Sequence, residues 1–529
     1  MHKRVPSTDG ARFPLSGGAP AVGLRVDEGS FLVDVVGVLQ WIGVIVCLIL
    51  ALTGFIPVIA AAATFFVIPF HAWINHYKKA APYLPRVAIV VPAWNEGAVI
   101  GASVDRLMKL DYPKKALRIY VVDDASTDDT PDVVRSRAEQ YPGNVFLLRR
   151  EQGGQGKAHT LNHGISRILE EDWMEALLVM DADVIYLPDS LRRMTRHLAD
   201  PEVGAVSAYI REGSSVGRNY LTKFIGVEYV LSQPAARRAQ NVLGAQACLA
   251  GGAQLHTREN LVAIGGRIDT SSLAEDTITT FETQLNGRKV VFEPHAHVLA
   301  EEPSRVDALW KQRLRWARGN VTVTARYSKV WFRPSKQHHL GAWTFGIVWF
   351  SLWLLPLIMV LSAIGLTGLL FLQSPFATGV FRALWISAAL AYLFVLILGS
   401  LTDSRTTGRA LGHVILFPGI INMLVMVTAL FPTLMLVRLP GLFGVTLSES
   451  TLFVLTLLIY IWIPFSMLVA WLARVVEKRK GLRWLAPVFI YLAGYGSLLC
   501  AITLDSYFKE LAGAEARWDK TEKVGRVAV

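Results

Sequence analysis

Apolar positions fall along this chain in two distinct patterns. Residues 35–77 contain no Asp, Glu, Lys or Arg, and apolar segments recur near 345–371, 383–401, 411–436, 451–472 and 485–504. About 20 helical residues cross a hydrocarbon layer, so the first run predicts two crossings with a turn at Gly54 and Pro57, and the later segments predict five more. That first run is too long for a signal-peptide core; the alanines at 60–63 mimic a cleavage site, but cleavage there would send the following block outside. Between the apolar regions the period changes. Short β-branched runs at 87–91, 119–122, 145–148 and 177–180 alternate with helix-like stretches at 99–108 and 131–139. Such alternation predicts an α/β domain with a mostly parallel sheet, whose ligands bind beyond the carboxyl ends of the strands.

Composition sharpens this division. Hydrophobic residues make up 52% of the 529 positions and charged residues only 18%, so a pair of ordinary soluble domains is excluded. The charges gather in one block, roughly residues 78–336. With that block cytosolic, Arg405 and Arg409, and then Arg474, Lys478, Arg479, Lys480 and Arg483, fall on the same side, as the positive-inside rule asks. The same count puts the tail after Asp505 outside. The chain divides into a tail at 1–30, two transmembrane helices at 31–77, the α/β domain at 78–330, an interfacial segment with about five transmembrane helices at 331–505, and a tail at 506–529. Residues 331–340, with Trp331, Phe332, Arg333 and Lys336, predict the start of an interfacial helix. The net charge of +11 does not indicate nucleic acid, because the basic residues are scattered or border apolar segments. Cys47, Cys248 and Cys500 are too far apart to suggest a disulfide framework or a metal site.

The α/β block carries its polar motifs at the strand ends. Asp123 and Asp124 open the acidic run 123–130 directly after an apolar strand; one reading is a turn capping the helix near Pro131, the other a ligand site. Asp181 and Asp183 follow the next strand and can bridge a hard cation, Mg²⁺ or Mn²⁺, to a diphosphate. Between these motifs, Gly153, Gly154 and Gly156 precede Lys157 at a helix start, where amides and an ammonium both meet phosphate. The spacing is not that of a P-loop. His159 with His163, and His295 with His297, have zinc-like spacing, but no motif completes either pair. Glu275 and Asp276 stand in the first turn of a segment in which Ile278, Phe281 and Leu285 recur at helical spacing, and Asp276 is placed to take a proton from a sugar hydroxyl. Gln312, Arg315 and Trp316 lie at i, i+3 and i+4, on one helix face, with Arg313 beside them. Taken alone, that segment reads equally as a membrane-surface helix anchored by Trp310 and Trp316.

In order and type, these motifs resemble those of the processive family 2 glycosyltransferases, the poly-N-acetylglucosamine, cellulose, chitin and hyaluronan synthases, over about residues 86–320. Residues 292–294 and 309–317 look most like bacterial poly-β-1,6-N-acetylglucosamine synthases. The resemblance implies a GT-A domain inserted between transmembrane helices. It places Pro92, Asn95 and Glu96 in the donor pocket, Asp123 and Asp124 near the nucleotide base, Lys157 on the diphosphate, and Asp181 and Asp183 with the metal. Asp276 matches the base of the family's Thr-Glu-Asp motif, with Glu275 beside it. Gln312, Arg315 and Trp316 match the QxxRW motif at the diphosphate and acceptor, with Arg313 beside them in that site. One departure is Ala274, which stands where the family carries Thr and loses a hydroxyl expected near the acceptor.

The implied activity is inverting transfer from a UDP-sugar, UDP-N-acetylglucosamine first, to a growing β-linked polysaccharide exported across the inner membrane, with accessory export subunits as possible partners. Alternatives are a nonprocessive enzyme acting on a membrane lipid and a cellulose-like synthase using UDP-glucose. A channel with a regulatory nucleotide-binding domain is disfavoured, since the apolar segments hold almost no ionisable residues to mark an ion path.

Overall fold

A computed structural model describes residues 28–73, 77–213, 219–409 and 411–515. Eight strands form one sheet: β1 Val87–Ala93, β2 Leu117–Asp123, β3 Val145–Arg149, β4 Ala176–Met180, β5 Ile185–Tyr186, β6 Val203–Glu212, β7 Ala253–Thr257 and β8 Lys289–Ala300. Their order is β3-β2-β1-β4-β7-β6-β8-β5. The four strands expected from the apolar runs are parallel neighbours, and Val87, Ala88, Ile89 and Val90 are completely buried on both faces. Two-sided burial is why β1, β2 and β4 read as continuous apolar runs, while the edge strand β3 is only half-buried.

The other half departs from the expected parallel sheet. Strand β7 runs antiparallel to both β4 and β6, and β5 antiparallel to β8, so the sheet is mixed. In β8 the register jumps from Glu293 opposite Ala208 to His297 opposite Tyr209. Pro294, which has no N–H to give the ladder, falls in that bulge.

The apolar helices also differ from expectation. Three are long and apolar enough to cross a membrane: Val36–Val67, Phe376–Thr402 and Glu449–Glu477. Three bent pairs raise the number to at most six among the described residues, against the seven expected. Residues 36–67 form one run because the break at Thr53 and Gly54, where Gly54 keeps right-handed helical angles (φ −60°, ψ −19°), does not reverse the chain. A Cβ there would come within 2.7 Å of Ser362 Oγ, so its bare backbone lets the helix pack closely on Leu355–Phe371. Pro57 lies in the first turn of Phe55–Val67, where its missing N–H costs little.

Gly43 lies against Leu372 and Gly365 against Ala51, so these two helices run antiparallel. The first helix therefore starts at the end remote from the α/β domain, to which Tyr77 is tied by a hydrogen bond to Phe292 O at 3.0 Å. The expected 1–30 tail lies almost wholly outside the described residues.

The C-terminal segment corrects a second expectation. Leu485–Ala493 and Tyr495–Leu511 meet at 95°, with Gly494 in a left-handed conformation between them. The pair turns back toward the α/β domain: Trp310 Nε1 donates to Asp505 at 2.8 Å, and Arg318 pairs with Glu510 and donates to Ala514 O. Residues 505–515 thus lie on the domain's side, not opposite it. Residues 331–340 are turns, not the start of a helix; Trp331 is buried among Phe281, Phe345 and Trp349, and the helix begins at Trp343.

Candidate active site

The carboxyl ends of β1, β2 and β4 open onto one cleft of about 640 Å³. Its approach is built by the acidic run after β2. Asn95 N–H donates to Ser126 Oγ (2.9 Å), Thr127 N–H to Asn95 Oδ1 (2.9 Å), Glu96 N–H to Thr130 Oγ1 (2.8 Å) and Gly97 N–H to Asp128 Oδ2 (3.1 Å). These bonds zip the loop after β1 to the loop after β2. Asn95 (φ 52°) and Ala125 (φ 55°) are held in left-handed conformations there, a strain that side chains accept only where their surroundings fix it. The acidic run therefore has two parts: Asp128 and Thr130 build the turn, while Asp124 faces the cleft.

Asp124 accepts from Gly154 N–H at 3.0 Å and pairs with Arg150, which anchors the glycine loop. Lys157 follows at the start of helix Lys157–Glu170. Its ammonium lies 2.5 Å from Asp181 Oδ1 and 3.8 Å from Glu275 Oε1, and donates to Gly251 O at 3.1 Å. Burial opposes the Lys157 charge, but Asp181 and then Glu275 outweigh it and hold the group above the usual lysine value. Burial pushes Glu275 upward, against the pull of Lys157.

Gly251 and Gly252 precede β7 and make room among these groups. A Cβ on Gly251 would come within 2.9 Å of Asp276 Oδ2, and one on Gly252 within 2.9 Å of Asp181 Oδ2. Asp276 and Lys157 thus meet across the bare backbone of Gly251, while Asp276 Oδ1 accepts from Thr277 N–H at 2.7 Å.

Pro92, Glu96, Asp124, Lys157, Asp181, Asp183, Glu275, Gln312 and Arg315 line the one cleft. Asp123 does not; it is fully buried beneath, 3.3 Å from Arg149. Asn95 braces the loop from behind the lining, and Asp276 and Trp316 also lie outside the lining, Asp276 against Gly251. Arg313 turns away from the cleft: its guanidinium is buried, 2.9 Å from Glu228 and 4.0 Å over the ring of Trp316, which it supports. Trp316 itself remains 38% exposed, enough to meet another molecule.

Ala274 is explained by packing. A Cβ on Gly319 would come within 2.5 Å of Ala274 Cβ, so helix Val306–Arg326 rests directly on this position and a larger residue would push it away. Position 274 faces that helix. The residues that sequence reasoning missed are Gly251, Gly252 and Arg150. The Gly-Gly pair before a strand was a visible signal; Arg150 had none. Among the described residues no cluster of three His, Cys, Asp or Glu forms a metal site, so neither histidine pair builds one.

Residues 85–319 match the family model described as glycosyltransferase like family 2. The β-monoglucosyldiacylglycerol synthase of Synechocystis sp. is 33% identical over 48% of this chain and 50% of its own length. The probable glycosyltransferase YdaM of Bacillus subtilis is 30% identical over 50% of this chain and 62% of its own. The poly-β-1,6-N-acetyl-D-glucosamine synthase of Staphylococcus aureus is 29% identical over 46% of this chain and 56% of its own. The chain thus spans about half to three fifths of these relatives. A solved mannosyltransferase from Pyrobaculum calidifontis, in complex with GDP-Man and Mn²⁺, aligns with a TM-score of 0.47 and 24% identity over 72% of this chain and 99% of its own. Residues 85–319, less than half of the 529, thus match the family 2 glycosyltransferase model and lie beside apolar helices of membrane-crossing length.

Proposed function

We propose that the protein transfers a sugar, with inversion, from a UDP-sugar to a growing β-linked polysaccharide at the inner face of the cell membrane, with UDP-N-acetylglucosamine the first donor to try. The observation that carries this reading is the row Asp181, Lys157, Glu275 along one cleft wall, with Gln312 and Arg315 in the same lining; Asp276 lies outside that lining, against Gly251. A sugar diphosphate laid along that row meets cations at its phosphates and a carboxylate at its reacting carbon.

Asp181 and Asp183 offer the hard oxygen donors that suit Mg²⁺ or Mn²⁺, and the Lys157 ammonium already stands against Asp181 as a cation. With two carboxylates only, the remaining ligands would come from the diphosphate. Such an ion, when bound, supplies positive charge to the leaving group. Lys157 and Arg315 bind the diphosphate and hold its growing charge. The acceptor hydroxyl oxygen bonds to the anomeric carbon as the bond to UDP breaks. The electron pair leaves with UDP, and the hydroxyl proton passes to Asp276. The exposed face of Trp316 gives the acceptor sugar a wall.

A second reading, transfer to a membrane lipid, is favoured by one observation: the cavity among the apolar helices is itself apolar. Membranes containing the protein, given individually labelled UDP-sugars, decide between the two. A long product cut by linkage-specific β-hydrolases supports the polymer, and a single sugar extracted with lipid supports the second reading. No UDP released from any donor overturns both.

A further inference from the structure

Helix Val306–Arg326 gives the cleft Gln312 and Arg315, but Arg313 between them points into the protein. Each end of its buried fork has a partner: Nη1 donates to Gln312 Oε1 at 2.7 Å and Nη2 to Glu228 Oε2 at 2.9 Å. Its Cζ also lies 4.0 Å from the centroid of the Trp316 ring. One guanidinium therefore fixes both an amide of the cleft lining and the indole beside it. A planar, delocalised fork can bridge two acceptors and stack at once, which an ammonium cannot do.

Two carboxylates hold this arrangement. Glu302, also buried, accepts from Gln312 Nε2 at 3.4 Å and from Tyr229 OH at 2.6 Å, so the Gln312 amide is held at both ends. Glu228 Oε2 accepts from Arg313 and, at 2.6 Å, from the Tyr495 hydroxyl. Hydrogen bonds to an ionised acceptor are stronger than those between neutral groups, so Tyr495 is a main determinant of where the Glu228 carboxylate stands.

Tyr495 takes its own position from the apolar helices. It is completely buried and begins the second helix of the pair that meets at 95°. Its N–H donates to Phe417 O at 3.0 Å, and a Cβ on the preceding Gly494 would come within 2.0 Å of Pro418 O. The bend is thus locked against the segment 417–418, and the Tyr495 hydroxyl is delivered to Glu228 from a fixed backbone.

We infer that Arg313 is a positioning residue for acceptor binding, not a ligand of the diphosphate, and that Tyr495, through Glu228, sets where Arg313 holds Trp316 and Gln312. The inference rests on the reading of Trp316 as the acceptor's wall.

The test uses the full chain in lipid nanodiscs, with UDP-N-acetylglucosamine as donor and a soluble β-linked N-acetylglucosamine pentasaccharide as acceptor. Tyr495→Phe removes one hydroxyl that is not part of the cleft lining. It should raise the acceptor KM about fivefold, as the loss of one hydrogen bond would, while donor KM and kcat stay within about twofold. Arg313→Lys keeps the charge but loses the fork and the stacking, and should raise the acceptor KM about twentyfold with donor KM little changed. An unchanged acceptor KM in either variant overturns the inference. So does a donor KM that rises as much as the acceptor's, because that returns Arg313 to the diphosphate. A readout that needs no turnover is fluorine NMR of protein carrying 5-fluorotryptophan. The Trp316 resonance, assigned by its loss in Trp316→Phe, should shift in Tyr495→Phe, and an unmoved resonance also overturns the inference. If the unaltered protein transfers no sugar, the proposed activity fails, and the Trp316 resonance alone decides the positioning role.

Discussion

The two cavities are built on opposite principles. In the cleft, Asp181, Lys157 and Glu275 compensate one another at distances of 2.5 and 3.8 Å, an arrangement that an arriving diphosphate can re-pair. In the membrane-region cavity, Ser362, Asn422, Ser466 and Ser497 are spent on the backbone or on each other, leaving an apolar wall. A cavity with exchangeable charge partners suits an anion; one with a mostly apolar lining offers an anion nothing to pair with. The seam between them is the buried Glu228–Arg313 pair, joined by the Tyr495 hydroxyl from one side and by the Trp316 ring from the other.

The largest effect should come from the cleft. Asp276→Asn removes the proposed proton acceptor while keeping its shape, and should lower transfer about 10³-fold, with UDP affinity little changed. Single-turnover rates and nucleotide titration check this, and normal turnover would remove Asp276 from the role. At the seam, Glu228→Gln leaves a guanidinium buried without its counter-charge and should destabilise the protein by about 3 kcal/mol. Thermal unfolding in detergent measures it; a negligible shift would mean that the two regions are not coupled through this pair.

Gly319→Ala probes the contact with Ala274 and should cost about 1–3 kcal/mol through overpacking. Wild-type stability in that variant would return position 274 to the acceptor side. The smallest effect concerns pH. Burial works against the Glu293 carboxylate, yet the His197 hydrogen bond at 2.7 Å and the His197 charge hold it below the usual value. A carboxylate depressed in the folded state stabilises above its unfolded pKa, about 4.3. That contribution is lost as pH falls through the lower folded value. Melting temperatures between pH 3 and 7 should therefore fall less steeply on the acid side for Glu293→Gln than for the unaltered protein.

Much of the first half of the domain was legible. The runs that became β1, β2 and β4 are buried on both faces and that of the edge strand β3 is half-buried but apolar, so hydrophobicity alone marked them, and the acidic ends of β2 and β4 line the cleft as their position after a strand suggested. Strands β5 to β8 were not named in advance. Strand β8 mixes exposed and buried positions and carries Pro294, so neither alternation nor an apolar run marks it. Helix counting failed at Gly54 for a related reason: a glycine that permits close packing and a glycine that permits a turn are identical in sequence.

The sequence by itself determined which segments are apolar, where acidic and basic groups follow strands, and that Asp276 begins a helix, because these depend on neighbours along the chain. Only the tertiary structure decided that Arg313 turns to Glu228 while Arg315 lines the cleft, that Gly251 brings Asp276 and Lys157 together, and that residues 505–515 return to the domain's side. Each of those outcomes is a contact between residues far apart in the chain. Its energy depends on what stands opposite, and no local pattern carries that information.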